Sequence, residues 1–300
     1  KIMKNLIIGG NGYVGSYLYE KIEADSVDLC VSGNDLGFSK KINFDLIDIE
    51  EYKNIILLAG HSSVQMCEYN KKNAWKNNVT YFYNLCEKLR DDQLLIYASS
   101  ASVYGKKTDL CEEHQINLNP INHYDLTKLT IDIIANKFIG DGKKIIGLRF
   151  GTVNGYSKNI RSDLMINSMV YSYKTEGLIE TANDWIKRPI LGTIDLVDAI
   201  DHILNHDQIH TGQFNICSFN STVSDIANEI SKKVGCKIIK KENSKKVYDF
   251  KISNSKFEKI YGFKFKQDIS SVIDSVINSD ISLFNERSGR FHDRLLNDHL

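Results

Sequence analysis

Residues 4–15 read Lys4-Asn5-Leu6-Ile7-Ile8-Gly9-Gly10-Asn11-Gly12-Tyr13-Val14-Gly15. A short apolar run ends in glycine, as in a strand buried on both faces. The residues that follow put Val14, Leu18 and Ile22 on one helical stripe. Gly9, Gly12 and Gly15 therefore fall at a strand-to-helix turn. Glycine there permits a tight turn, a close backbone approach to a ligand, and close packing of helix on strand. The helix N-terminus adds unpaired N–H groups and a partial positive charge, which suit a dinucleotide pyrophosphate. Asn11, Tyr13 and Val14 lie in the same turn and join the glycines as candidate cofactor contacts.

Working outward, further apolar runs occupy Val27 to Val31, Ile42 to Ile47, Asn54 to Ala59, Leu94 to Ala98 and Ile145 to Phe150. Helical stretches are expected over 74–90 and 121–139. Strands alternating with helices predict an α/β fold: a doubly wound parallel sheet of Rossmann type with right-handed crossovers. The second half is less regular. Helices are expected over 163–173, 195–204 and 224–234, strands over 190–194 and 213–217, a basic β-like stretch over 237–252, and a helical tail from Ile269. No Gly/Ser/Pro linker divides the chain. The expected organisation is a dinucleotide-binding domain over 1–156, with 190–216 returning to it, and a smaller interleaved C-terminal substrate lobe from 157–189 and 217–300.

Composition narrows the function classes. The 300 residues are 42% hydrophobic and 25% charged, with 38 Lys+Arg against 38 Asp+Glu. That balance gives no support to a nucleic-acid or membrane-surface partner, which usually meets a basic excess. No apolar run approaches the roughly 20 residues that span a bilayer. Residues 1–6 lead into a strand-like run rather than a secretory h-region. The six cysteines form no C-x-x-C pair and no zinc-finger spacing, so free thiols in a reducing cytoplasm are expected, and no metal site.

The chemistry concentrates in two segments, Ser99-Ser100-Ala101-Ser102-Val103-Tyr104-Gly105 and Tyr124-Asp125-Leu126-Thr127-Lys128. Four residues apart, Tyr124 and Lys128 share a helix face. An ammonium near a phenol lowers a pKa of about 10, and an oxidised nicotinamide would lower it further. Tyr124 then exchanges a proton with a substrate hydroxyl or ketone, and Ser100, at a strand end, holds the same oxygen. The acidic residue that binds adenosine ribose at the end of a second strand is expected near Ser32, where serine replaces it. Lys40 and Lys41 follow, and the choice between NAD and NADP stays open on these residues.

These motifs resemble the extended short-chain dehydrogenases/reductases, in the NAD-dependent epimerase/dehydratase family that acts on nucleotide sugars. The resemblance rests on the glycine turn at 9–15, Ala59-Gly60, Asn77-Asn78-Val79, the serine segment at 99–105, the Tyr124 segment, 148–155, 188–200, 212–217 and 249–263. It implies a cytoplasmic enzyme that uses NAD (or NADP) and takes a nucleotide-sugar substrate. It also implies that Asp45 and Leu46 flank the adenine, that Leu58, Ala59 and Gly60 line the path to the nicotinamide ribose, and that Asn78 sits behind the catalytic helix. Lys128 would bind that ribose while tuning Tyr124, and Arg188 would contact a substrate diphosphate. Thr152, Arg161 and Asp163 are the other implied substrate positions, with Asp163 needing a partner such as Arg161.

The departures are Gly151-Thr152 where Phe-Asn is usual, and Gly192 where histidine is usual. No acidic residue follows Ser100, which argues against dehydration and decarboxylation. Hydride transfer at a sugar carbon, C4, is expected, with an epimerase favoured. The alternatives are a dehydrogenase or ketoreductase of the same family, a reductase of a non-nucleotide carbonyl, and a non-catalytic dinucleotide sensor. A homodimer is expected through helices 74–90 and 121–139, where Tyr81, Leu85, Ile131 and Ile134 extend beyond one core stripe.

Overall fold

The computed structural model describes residues 4–28, 40–41, 43–107, 109–115, 117–241 and 248–285. Strand β1 (Asn5–Ile8) lies mid-sheet, which is why Leu6, Ile7 and Ile8 are all apolar and all buried. Ile8 pairs in parallel with Val27 of β2 (Asp25–Asp28) on one side and with Leu57 of β4 (Asn54–Leu57) on the other. With β3 (Lys40–Lys41), β5 (Leu94–Ser100), β7 (Lys144–Phe150) and β12 (Gly212–Ile216), these form a seven-stranded parallel sheet in the order β12-β7-β5-β4-β1-β2-β3. The order reverses between β1 and β4, and in such sheets the crevice beyond the strand ends at that point receives ligands.

Side-chain alternation along the strands divides the core between two faces. Ile7, Ile56, Ile96 and Ile146 meet Leu18 of α1 (Tyr13–Lys21) and Leu196, Val197 and Ile200 of α7 (Thr193–Leu204) on one side. Leu6, Ile8, Ile55, Leu95 and Ile145 meet Phe82 and Leu85 of α4 (Tyr81–Lys88) and Ile131 and Ala135 of α5 (His123–Gly140) on the other.

One expectation is corrected and another refined. The strand expected at 42–47 is a 3₁₀ turn over Phe44–Leu46, begun when Asn43 Oδ1 accepts from the Asp45 N–H; the strand itself lies at Lys40–Lys41. The helix expected over 74–90 is a continuous helical run from Lys71 to Lys88 with a π turn inside it. After α2 (Val64–Tyr69) and α3 (Lys71–Trp75) comes a π turn at Lys76–Thr80, where the Tyr81 N–H reaches back to the Lys76 carbonyl, and only then α4. A π turn inserts one residue into the helix, and such turns recur at functional sites.

Between the central strands, β6 (Leu110–Cys111) pairs with β15 (Lys251–Ile252). The strand β8 (Thr152–Asn154) pairs with β11 (Lys187–Gly192), which also pairs with β13 (Phe219–Thr222). Thus 190–192 lies in this three-stranded sheet, while α7 and β12 lie with the central one. Two more pairs, β9 (Ile160–Arg161) with β16 (Phe284–Asn285) and β10 (Leu178–Ala182) with β14 (Lys237–Lys241), edge the second lobe. Helices α6 (Met165–Glu176), α8 (Val223–Val234) and α10 (Ile269–Ile277) pack together there, and α9 (Ser255–Tyr261) lies on β12. Gly192 is explained by packing: a Cβ there would stand 2.0 Å from Gln267 Oε1, which accepts from the Ile194 and Asp195 N–H groups.

Candidate active site

A cavity of about 660 Å³ opens beyond the C-terminal ends of β1, β4, β5 and β7, with the second lobe as its other wall. It begins at the glycine turn. Gly9 has φ +106°, and a Cβ on it would meet the Ala59 nitrogen at 2.5 Å. A Cβ on Gly15 would stand 2.0 Å from the Gly9 carbonyl oxygen. Both positions therefore require glycine. Gly12 caps α1 without a side-chain bond, which leaves the first-turn N–H groups facing the cavity end of the helix.

Tyr13 and Val14 both line the cavity, and the Tyr13 hydroxyl donates to the Gly155 carbonyl at 2.9 Å. Asn11 is buried, and both polar atoms of its side-chain amide lack a partner. Buried amides are nearly always paired, and this one lies beside the glycine turn without lining the cavity. Its backbone N–H donates to Asp28 Oδ2 at 2.9 Å. A cradle only glycine fits, an open helix N-terminus and a nearby carboxylate match the needs of a dinucleotide's pyrophosphate and ribose.

Asp28 is the residue that sequence reasoning missed. The register of Ile8 on Val27 brings the Asp28 carboxylate to the glycine turn. A carboxylate thus lines the cavity at the glycine turn four positions before Ser32. Ser32 and Asn34 lie outside the described residues. Asp45 and Leu46 sit on the exposed 3₁₀ turn, with Leu46 70% exposed, and neither lines the cavity. Leu58, Ala59 and Gly60 do line it.

Asn78, on the π turn, is braced rather than open. Its Oδ1 accepts from the His61 N–H at 2.8 Å, and its Nδ2 donates to the His61 carbonyl and to Thr127 Oγ1. It fixes the loop after β4 to α5 behind Tyr124, so its role is support, not cofactor contact.

Ser100, Tyr124 and Lys128 all line the cavity. Ser100 ends β5, and its Oγ accepts from the Ser102 N–H, starting a 3₁₀ turn over Ala101–Tyr104. Tyr124 lies in the first turn of α5, capped by Asn122. Lys128 is buried, donates to the Ala98 carbonyl at 2.7 Å, and holds its Nζ 5.8 Å from the Tyr124 ring centre. Burial pulls Lys128 down to about 8.

The downward pull expected from Lys128 does not prevail at Tyr124. Burial pushes Tyr124 up to about 12, outweighing the downward pull of the Ser100 hydroxyl and Arg161. Further positive charge from a ligand is needed to bring the phenol into working range.

The substrate wall holds two arginines in different states. Arg161 is paired through Nε and Nη2 with both Asp163 oxygens at 2.9 and 2.6 Å, and its Nη1 donates to the Ser62 carbonyl and hydroxyl. This is the pairing that a carboxylate at 163 demanded. Arg188 donates from Nη2 to Thr152 Oγ1 at 3.0 Å and lies over the Tyr248 ring at 5.5 Å. Its Nε has no partner, burial lowers its pKa, and no carboxylate pairs with it among the described residues.

The sequence profile of the NAD dependent epimerase/dehydratase family matches residues 5–217. The chain belongs to that family. UDP-glucose 4-epimerase of Lactobacillus helveticus is 29% identical over 177 residues, 52% of this chain and 54% of that protein. ADP-L-glycero-D-manno-heptose-6-epimerase of Brachyspira hyodysenteriae is 30% identical over 178 residues, 51% of this chain and 56% of that one. The chain thus spans about half the length of these curated relatives. Among solved structures, UDP-glucuronic acid 4-epimerase of Bacillus cereus, in complex with UDP-glucuronic acid and NAD, superposes with a TM-score of 0.80. It is 17% identical, with coverage of 92% of this chain and 98% of that one, a likeness of fold. Members of the family are NAD-dependent enzymes, and the glycine turn and Asp28 fit that cofactor.

Proposed function

We propose that this chain is a nucleotide-sugar epimerase acting at a sugar carbon bearing a hydroxyl, C4. The observation that carries the reading is the Ser100–Tyr124–Lys128 set in a cavity where, among the described residues, no carboxylate of the serine segment 99–105 lines the wall. The carboxylates lining it are Asp28, on the glycine turn, and Asp163, held by Arg161. Elimination of water needs a second acid or base beside the reacting carbon; reversible oxidation of an alcohol needs only the tyrosine.

NAD, when bound, supplies the hydride acceptor. Tyr124 takes the hydroxyl proton and later returns it to the carbonyl oxygen, while Ser100 orients that oxygen. Lys128 carries positive charge beneath the phenol. Arg188, a cation with an open Nε, receives the substrate diphosphate. The epimerase reading is supported by the two sequence relatives, each named as an epimerase.

The test is incubation with UDP-glucose, UDP-glucuronic acid and ADP-heptose, with proton NMR of the sugar. Interconversion at one carbon without net NADH supports the reading. Stoichiometric NADH release shows a dehydrogenase instead. Tyr124→Phe is expected to lower turnover by roughly 10²–10⁴-fold with cofactor binding retained. Turnover near wild type in that variant removes the mechanism.

A further inference from the structure

Tyr248 comes from the second lobe, 124 positions after Tyr124, yet it contacts both ends of the candidate site. Its hydroxyl donates to Asp125, the residue after Tyr124, with distances of 2.7 and 2.9 Å to the two carboxylate oxygens. Asn122, the cap of α5, donates to the same hydroxyl at 2.5 Å. The face of its ring carries the Arg188 guanidinium.

Register holds it there. The Lys187 N–H donates to Asp249 Oδ1 at 2.8 Å, and the Phe250 N–H donates to the Lys187 carbonyl at 3.1 Å. Tyr248 is thereby clamped alongside the strand that bears Arg188. Asp125 is fully buried and also accepts from the Ile121 N–H at 3.1 Å and from Asn122 Nδ2 at 3.0 Å. Asp125 directly follows Tyr124 in the first turn of α5, and at the neighbouring strand end Ser100 Oγ donates to Ser102 Oγ at 2.9 Å. Contacts therefore run from the first turn of α5, through Asp125 and Tyr248, to Arg188.

Resting on the epimerase reading, we propose that Tyr248, with Asp125, is a positioning residue that ties the anion-binding Arg188 to the catalytic turn of α5. Its ring presents the guanidinium to a nucleotide diphosphate, and its hydroxyl sets the orientation of Tyr124 through Asp125, the next residue of the same helical turn. The two functions use different parts of one side chain, so substitutions separate them. Tyr248→Phe keeps the stacking face and removes the hydroxyl. Tyr248→Leu removes both.

Full-length wild type and the two variants are compared by calorimetric binding of UDP, by NAD content, and by steady-state kinetics on the substrate that wild type turns over. Tyr248→Phe should bind UDP within about twofold of wild type and lose tenfold or more in kcat. Tyr248→Leu should in addition weaken UDP binding by tenfold or more. NAD content should be unchanged in both, which separates a positioning role from general loss of fold. Unchanged kcat in Tyr248→Phe, or equal loss of UDP and NAD binding in both variants, overturns the proposal. Wild type that binds no nucleoside diphosphate overturns the functional reading, and the proposal falls with it.

Discussion

Lys128 shows how one buried cation sets both chemistry and stability. Its ammonium is held in a nearly dry position with one carbonyl acceptor, and its pKa falls from 10.5 to about 8. The unfolded chain then binds more protons than the folded chain between pH 8 and 10.5, so this residue makes stability rise with pH across that window. Below pH 8 both states are protonated, and the cost of burying the charge is borne in full. The wild-type stability relative to Lys128→Met, in ligand-free protein, should therefore rise by about 2–3 kcal/mol from pH 7 to pH 10. Urea unfolding at several pH values measures it. The comparison with the variant cancels the buried cysteines, whose raised pKa values work in the opposite direction above pH 9. A flat difference would show that Lys128 keeps an ordinary pKa. In the enzyme, the same poorly solvated charge is what can support a phenolate once a cationic ring joins it.

At the scale of elements, the end of β2 and the glycine turn act as one unit. Asp28 reaches the turn because Ile8 pairs with Val27, and its carboxylate fixes the Asn11 N–H. A carboxylate at this place favours a ribose diol and repels a 2′-phosphate. Asp28→Asn keeps an acceptor for Asn11 and removes the charge. It should move the NADP-to-NAD affinity ratio tenfold or more toward NADP, about 1.4 kcal/mol, read by titration of both cofactors. An unchanged ratio would assign the discrimination elsewhere.

This unit also shows what the sequence made legible. The glycine turn and Tyr124 with Lys128 are local patterns, set by spacings of three and four residues. Asp28 was passed over because it lies inside the apolar run Val27 to Val31, and register alone shows which residue meets the turn. Asn78 was placed behind the catalytic helix, but the π turn that aims it inward leaves no mark in periodicity. Tyr248 and Asp125 are 123 positions apart, and no sequence spacing announces their contact.

At the scale of the molecule, α4 and α5 carry apolar side chains that are exposed among the described residues. Of the four residues first expected at this surface, Ile134 is half-buried against the core. Leu85 and Ile131 lie in the core, and Tyr81 stacks on Phe44 at 4.4 Å. The outward positions are Tyr83, Leu126 and Ile133, which are 46%, 40% and 60% exposed, with Tyr83 joined to α5 through Phe138. Leu126 and Ile133 are seven apart and share one stripe of α5.

A second copy of the chain is the partner we propose for this stripe. A twofold axis would set α4 and α5 against their equivalents as a four-helix bundle, each apolar residue meeting its own kind. Ile133 is the sharpest probe, being the most exposed and close to the middle of α5. Losing its burial costs about 1 kcal/mol per copy, and symmetry doubles this, which is roughly a 30-fold weaker dimer. Glutamate adds two carboxylates facing each other at the seam, so Ile133→Glu should do more than that. Light scattering at micromolar concentration is expected to give a dimer mass for wild type and a monomer mass for Ile133→Glu, with circular dichroism unchanged. Since α5 also carries Tyr124 and Lys128 on its inner side, pairing would hold the catalytic helix rigid from outside. A monomeric wild type would remove the proposal and leave the stripe without an assigned partner.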